Sequence, residues 1–110
     1  MIYNISKPIN TKQTICIIDI NNKYGLIKIL DDNKYHILTN QFYEYVSHYI
    51  RTIDNIDYFL VGIDMNKFGF IDENDNIIVK FEYSPVYAVI ELTKFQNLKI
   101  RENKIKNILC

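Results

Sequence analysis

The chain has no tryptophan, only three glycines, two prolines and two cysteines among its 110 residues. Each shortage closes a route. Cys16 sits in an apolar run and Cys110 stands far from it, so no disulfide framework is available. That favours a reducing, cytoplasmic setting. Gly25, Gly62 and Gly69 stand alone, which excludes a glycine-rich phosphate loop. Apolar runs are short, far below the roughly 20 residues a bilayer-spanning helix needs. The opening MIYNISKPIN lacks the charged start and apolar core of a secretory signal. Net charge is zero, without the cationic excess of a dedicated nucleic-acid binder. The expectation is a soluble protein that engages neither membrane nor nucleic acid.

What is present points to strands. Nine tyrosines and six phenylalanines accompany abundant isoleucine and asparagine. Branched and aromatic side chains suit a pleated, half-buried surface, and Asn suits turns because it tolerates left-handed backbone. A length of 110 residues fits one domain, 1–110, with enough chain to bury a core.

In chain order, Pro8 and Asn10–Gln13 suggest that residues 1–13 are an arm or loop, whose Ile2, Tyr3, Ile5 and Ile9 could dock on the body. Thr14–Ile20 reads as a buried strand, Asn21-Asn22-Lys23 as a hairpin turn and Tyr24–Leu30 as the return. Asp31-Asp32-Asn33 turns again into a strand at Lys34–Thr39. Phe42, Tyr45, Val46, Tyr49, Ile50 and Ile53 then follow at steps of 3, 1, 3, 1 and 3, which predicts a short amphipathic helix over 41–53. Asp54–Asp57 is loop and Tyr58–Ile63 a strand. Phe68–Asp72 and Ile77–Phe81 form a hairpin. Pro85 breaks the pattern before a strand at Val86–Leu92, and a weak last hairpin spans 98–101 and 104–109.

An internal repeat organises this order. Asn22-Lys23-Tyr24-Gly25-Leu26-Ile27 returns as Asn66-Lys67-Phe68-Gly69-Phe70-Ile71, and more faintly as Asn103-Lys104-Ile105. Intervals of roughly 40 residues with one supersecondary unit each are a repeat signature. The units run about 14–46, 58–92 and a degenerate 98–109. The fold class expected is mainly β, or β-rich α+β: an antiparallel meander of hairpins.

The phrase Asn66–Ile78, NKFGFIDENDNII, resembles the WG (KWG) β-repeat of bacterial proteins. That unit runs Lys, Trp, Gly, an aromatic or aliphatic residue, Ile, Asp, a turn, then a strand and a later tyrosine, the place of Tyr83. The resemblance is good over 64–92, fair over 21–46 and poor over 93–110. Tyr24 and Phe68 stand where the family has Trp. It implies a β-repeat scaffold for protein contacts, with no shared catalytic residue.

Chemistry-bearing constellations are scarce. His36, His48, Cys16 and Cys110 are scattered without metal-ligand spacing. Asp72, Glu73 and Asp75 resemble a fragment of a calcium loop, yet the central Gly and terminal Glu are missing, and a hairpin tip accounts for them. The expectation is a non-enzymatic protein with no catalytic residue, cofactor or metal.

Charge is uneven. Residues 31–91 hold eleven acids against four bases, while both flanks are basic. One reading is that opposite charges meet in three dimensions. The sharper one is an acidic, Tyr-containing face for a basic protein partner. Its contact candidates are Tyr43, Asp54, Asp57, Tyr58, Glu73 and Asp75. In its most concrete form the chain is an immunity or inhibitor protein that occludes a toxin or nuclease. The alternative is a WG-type scaffold that self-associates as a homo-oligomer or binds another protein.

Overall fold

The computed structural model describes residues 4–10, 12–31 and 34–109, with side chains as far as Arg101. Eight strands and one helix follow in order: β1 (Asn4–Ile5), β2 (Ile15–Ile20), β3 (Lys23–Asp31), β4 (Lys34–Ile37), β5 (Tyr45–Ile53), β6 (Ile56–Asp64), β7 (Lys67–Ile71), β8 (Ile77–Tyr83) and α1 (Pro85–Leu109). The strands form two antiparallel meanders, β1-β2-β3-β4 and β5-β6-β7-β8. The expected β-rich α+β class and meander architecture are what the chain adopts. Ile2, Tyr3, Asp32, Asn33 and Cys110 lie outside the described residues.

Turn chemistry sets the hairpins. Asn21 and Asn22 have φ of 54° and 64°, and Asp54 and Asn55 have 53° and 66°. Two successive positive φ values match the right-handed twist of the flanking strands. The β7–β8 tip is held by Asp72, whose Oδ1 accepts the backbone N–H groups of Asn74 and Asn76, each at 2.9 Å. Its Oδ2 accepts Asn76 Nδ2 at 3.1 Å. The calcium-like phrase is therefore a self-bonded turn.

Alternation along the strands builds three layers. Ile15, Ile17 and Leu26 of the first sheet pack with Phe59, Val61 and Ile71 of the second. The opposite face of the second sheet carries Tyr58, Leu60, Phe68 and Phe70, against Ala88 and Leu92 of α1. Full burial of a residue such as Leu92 stabilises by roughly 1.5–3 kcal/mol. Cys16, Ile18 and Ile27 lie on the outer face of the first sheet, partly under Phe42. Burial pushes the Cys16 thiol pKa up.

Both repeat phrases occupy matching places. Each opens the third strand of a meander after a turn, and each aromatic pairs with a later tyrosine: Tyr24 with Tyr43, Phe68 with Tyr83. The glycine that follows is crowded in both. A Cβ on Gly25 would press on Thr39 Oγ1 and the Phe42 ring, and one on Gly69 would strike the carbonyl oxygens of Val79 and Lys80.

Two expectations are corrected. Residues 45–53 are strand β5, not helix. Tyr45, Tyr49 and Ile53 are four apart, as are Val46 and Ile50, and a spacing of four satisfies a period of 2 as well as 3.6. The strand sends Val46 and Ile50 to the inter-sheet core and Ile53 to the helix-side core. Adjacent apolar residues thus mark two buried faces, not one helical stripe. The second correction is α1, which replaces the strand at 86–92, the loop at 93–97 and the degenerate hairpin at 98–109. Pro85 starts this helix, at the first helical position where its missing N–H is not needed. Ala88 N–H donates to Ser84 O at 2.9 Å.

Candidate functional site

A cleft of about 640 Å³ lies along the start of β5, lined from β1, β2 and β3 of the first sheet, from both faces of the second sheet and by the first residue of α1, Pro85. β1 and β5 are both edge strands of their sheets. Ile5, Ile17, Val46 and Leu60 supply aliphatic wall, and Tyr24, Tyr45 and Phe68 supply aromatic wall. The Tyr45 and Phe68 rings lie 5.6 Å apart between centroids. Asn4, Ser6, Ser47, His48 and Asp19 add the polar lining.

Local structure explains this lining. β5 pairs Val46 with Val61 and Ile50 with Phe59, so two extra residues bulge between them. Ser47 Oγ accepts the Tyr49 N–H at 3.0 Å within the bulge. Bulges of this kind re-aim side chains at sheet edges; here Ser47 and His48 come to the cleft. Asp19 stands opposite Tyr24 in the β2–β3 ladder, on the face that also carries Ile17. Its carboxylate has no hydrogen-bond or ion-pair partner among the described residues. Among the described residues, no lysine or arginine lines the cleft.

The six residues singled out by sequence scatter. Tyr43, Asp57 and Tyr58 are buried, with exposures of 2%, 5% and 2%. Asp57 accepts hydrogen bonds from Thr52 Oγ1 at 2.5 Å and Asn10 Nδ2 at 3.4 Å. Asn10 Oδ1 in turn accepts from the backbone N–H groups of Thr14 and Ile15. This carboxylate therefore clasps the β1–β2 connection to the second sheet. Tyr58 stacks edge-on against Phe95 at 5.9 Å and accepts Lys99 Nζ at 3.2 Å. Tyr43 donates its hydroxyl to Asp75 Oδ1 at 3.1 Å, and Asp75 Oδ2 accepts the Asn40 N–H at 2.8 Å. Burial foremost, with the Asp75 carboxylate adding to it, pushes the Tyr43 pKa up to about 12. Asp54 is exposed at the β5–β6 turn, and Glu73 is half-buried at the β7–β8 tip. These two turns lie at one end of the second sheet.

That end is mixed in charge. Glu73 shares a crevice with Lys28 and His36 of the first sheet. Asp64 and Asp72 accept backbone N–H groups of their own turns. Glu44 pairs with Lys23, and Glu91 with Lys94. Much of the acidic middle is spent inside the fold. Among the described residues, no three His, Cys, Asp or Glu side chains gather as a metal site. No helix among them is long and apolar enough to cross a membrane.

Sequence reasoning missed the cleft residues Asp19, Tyr45, Phe68 and His48. One signal was present: Tyr24 and Phe68 are the aromatic positions of the repeat, and they converge on this cleft. Compared with protein-family models, curated proteins and solved structures, the chain matches none.

Proposed function

We propose that this chain is a non-enzymatic, cytoplasmic protein-binding module of WG-like repeat construction that holds a basic protein partner at the cleft beside β1 and the start of β5. The supporting observation is the cleft itself: apolar walls, one unpartnered carboxylate, no lysine or arginine among the described residues, and an edge strand on each side. Well-formed apolar pockets of roughly 300–1,000 Å³ with a few convergent polar groups are the usual form of a binding site. Edge strands offer unpaired backbone groups to an extended segment. In its most concrete form the module is an inhibitor that covers a basic toxin or nuclease. Asp54 and Glu73 then steer the encounter from the tips of the second sheet instead of forming the contact.

A second reading, a self-associating scaffold, is favoured by the outer face of the first sheet. Ile29 of β3 and Tyr35 and Ile37 of the edge strand β4 lie there in one apolar patch, 38%, 47% and 45% exposed. Affinity capture from source cells with three variants separates the readings. The wild type and the double reversal Asp54→Lys/Glu73→Lys should retain one stoichiometric basic partner, and Val46→Arg should lose it. Loss with the tip reversal alone would contradict the cleft. Recovery of untagged copies of this chain alone, abolished by Ile37→Lys, would establish the scaffold instead.

A further inference from the structure

We propose that the cleft is a receptor for one cationic side chain, a lysine or arginine of the partner, whose alkyl stem lies along Tyr24, Tyr45 and Phe68 and whose head meets the Asp19 carboxylate. This rests on the reading of the chain as a protein-binding module and names the chemistry of its contact.

Three observations carry it. First, Asp19 is half-buried beside apolar walls, with its carboxylate unpaired among the described residues. A carboxylate partly withdrawn from water is costly to leave without a counter-charge. The same low-polarity surroundings strengthen its attraction for a cation. Second, the aromatic wall comes from three separate strands, β3, β5 and β7. Aromatic faces attract lysine and arginine heads, and their area accommodates the alkyl stem. Third, Tyr24 and Phe68 are equivalent positions of the two meanders, so the fold brings the same residue class to one place twice.

The volume of about 640 Å³ exceeds what one side chain fills. The remainder suits flanking residues of an extended segment running between β1 and β5. The polar lining then has a role: Asn4 and Ser47 can bond its backbone, while Ser6, bonded to Lys7 O and the Ile17 N–H, holds β1 in place.

The test uses the full chain and two matched probes, n-hexylammonium and 1-hexanol, titrated while amide and aromatic NMR signals are followed. The ammonium should bind roughly tenfold more tightly than the alcohol, the order expected for a cation over aromatic faces beside a carboxylate. Shifts should centre on Asp19, Tyr24, Tyr45 and Phe68. Asp19→Asn should bring the two affinities together, and salt should erode the preference in the wild type. Equal affinities with shifts still centred on the cleft would overturn the cationic specificity and leave the binding module standing. Absence of cleft shifts with either probe would overturn both.

Discussion

Asp57, Asp75 and Tyr43 look like interface residues in the sequence and behave as clasps in the structure. Each joins parts of the chain that are distant in sequence. Asp57 ties β6 to Asn10, and Asp75 ties the β7–β8 tip to Asn40 and Tyr43. A buried polar group must find partners, so a carboxylate in an Asn- and Thr-rich chain is readily drawn inward to bond them. Tyr43 carries a pH signature of this. The residue is 2% exposed and its hydroxyl faces a carboxylate, so ionisation is opposed in the fold and its pKa rises to about 12. The unfolded chain ionises this tyrosine near the ordinary value of about 10. The fold therefore holds the full benefit of a neutral Tyr43 below pH ~10 and loses it as pH rises towards 12. Urea unfolding of wild type and Tyr43→Phe checks this. The stability difference between them should be constant below pH 9.5 and shift in favour of the variant above it. A difference that stays flat to pH 11.5 would contradict the buried, Asp75-bonded hydroxyl.

At the scale of elements, the hairpins were legible and the two exceptions share one cause. Asn21-Asn22, Asn66-Lys67 and Asp72–Asn76 advertise turns because few residues tolerate what those turns demand. Tyr45–Ile53 and Pro85–Leu109 hide because both are apolar on more than one side. β5 serves the inter-sheet core with Val46 and Ile50 and the helix-side core with Ile53, which imitates a helical stripe. In α1 the docked residues Ala88, Leu92 and Phe95 do follow helical spacing, but exposed Val86, Tyr87 and Ile90 obscure it. The cleft was less legible still. It is lined from both sheets and the start of α1, and no local pattern encodes which distant strands meet there. The helix assignment has a direct consequence. Leu92→Ala should destabilise the fold by about 2–5 kcal/mol, the range for emptying a leucine site in a core. Leu98→Ala, 57% exposed on the same helix, should cost far less, within about 0.5 kcal/mol. Equal losses would contradict the observed docking face.

For the whole molecule, two meanders and one helix are stacked so that each sheet is covered on one face by the other. The second sheet is closed on its remaining face by α1, whereas the first keeps a partly open outer face. Unused apolar area is left at the cleft and the β4 patch, and also on the outer side of α1, where Val86, Tyr87, Ile90 and Leu98 are exposed. The cleft adds an unpartnered carboxylate, which the β4 patch of Ile29, Tyr35 and Ile37 does not, and the proposal that a basic partner binds there depends on it. The most direct measurement is hydrogen–deuterium exchange on the chain alone and with its captured partner. Protection should rise at Asn4–Ser6, at Tyr45–Tyr49 and at the start of α1, with the 72–76 tip little changed. Protection confined to residues 54–55 and 72–76, or to β4, would place the partner elsewhere and contradict the cleft as the binding face.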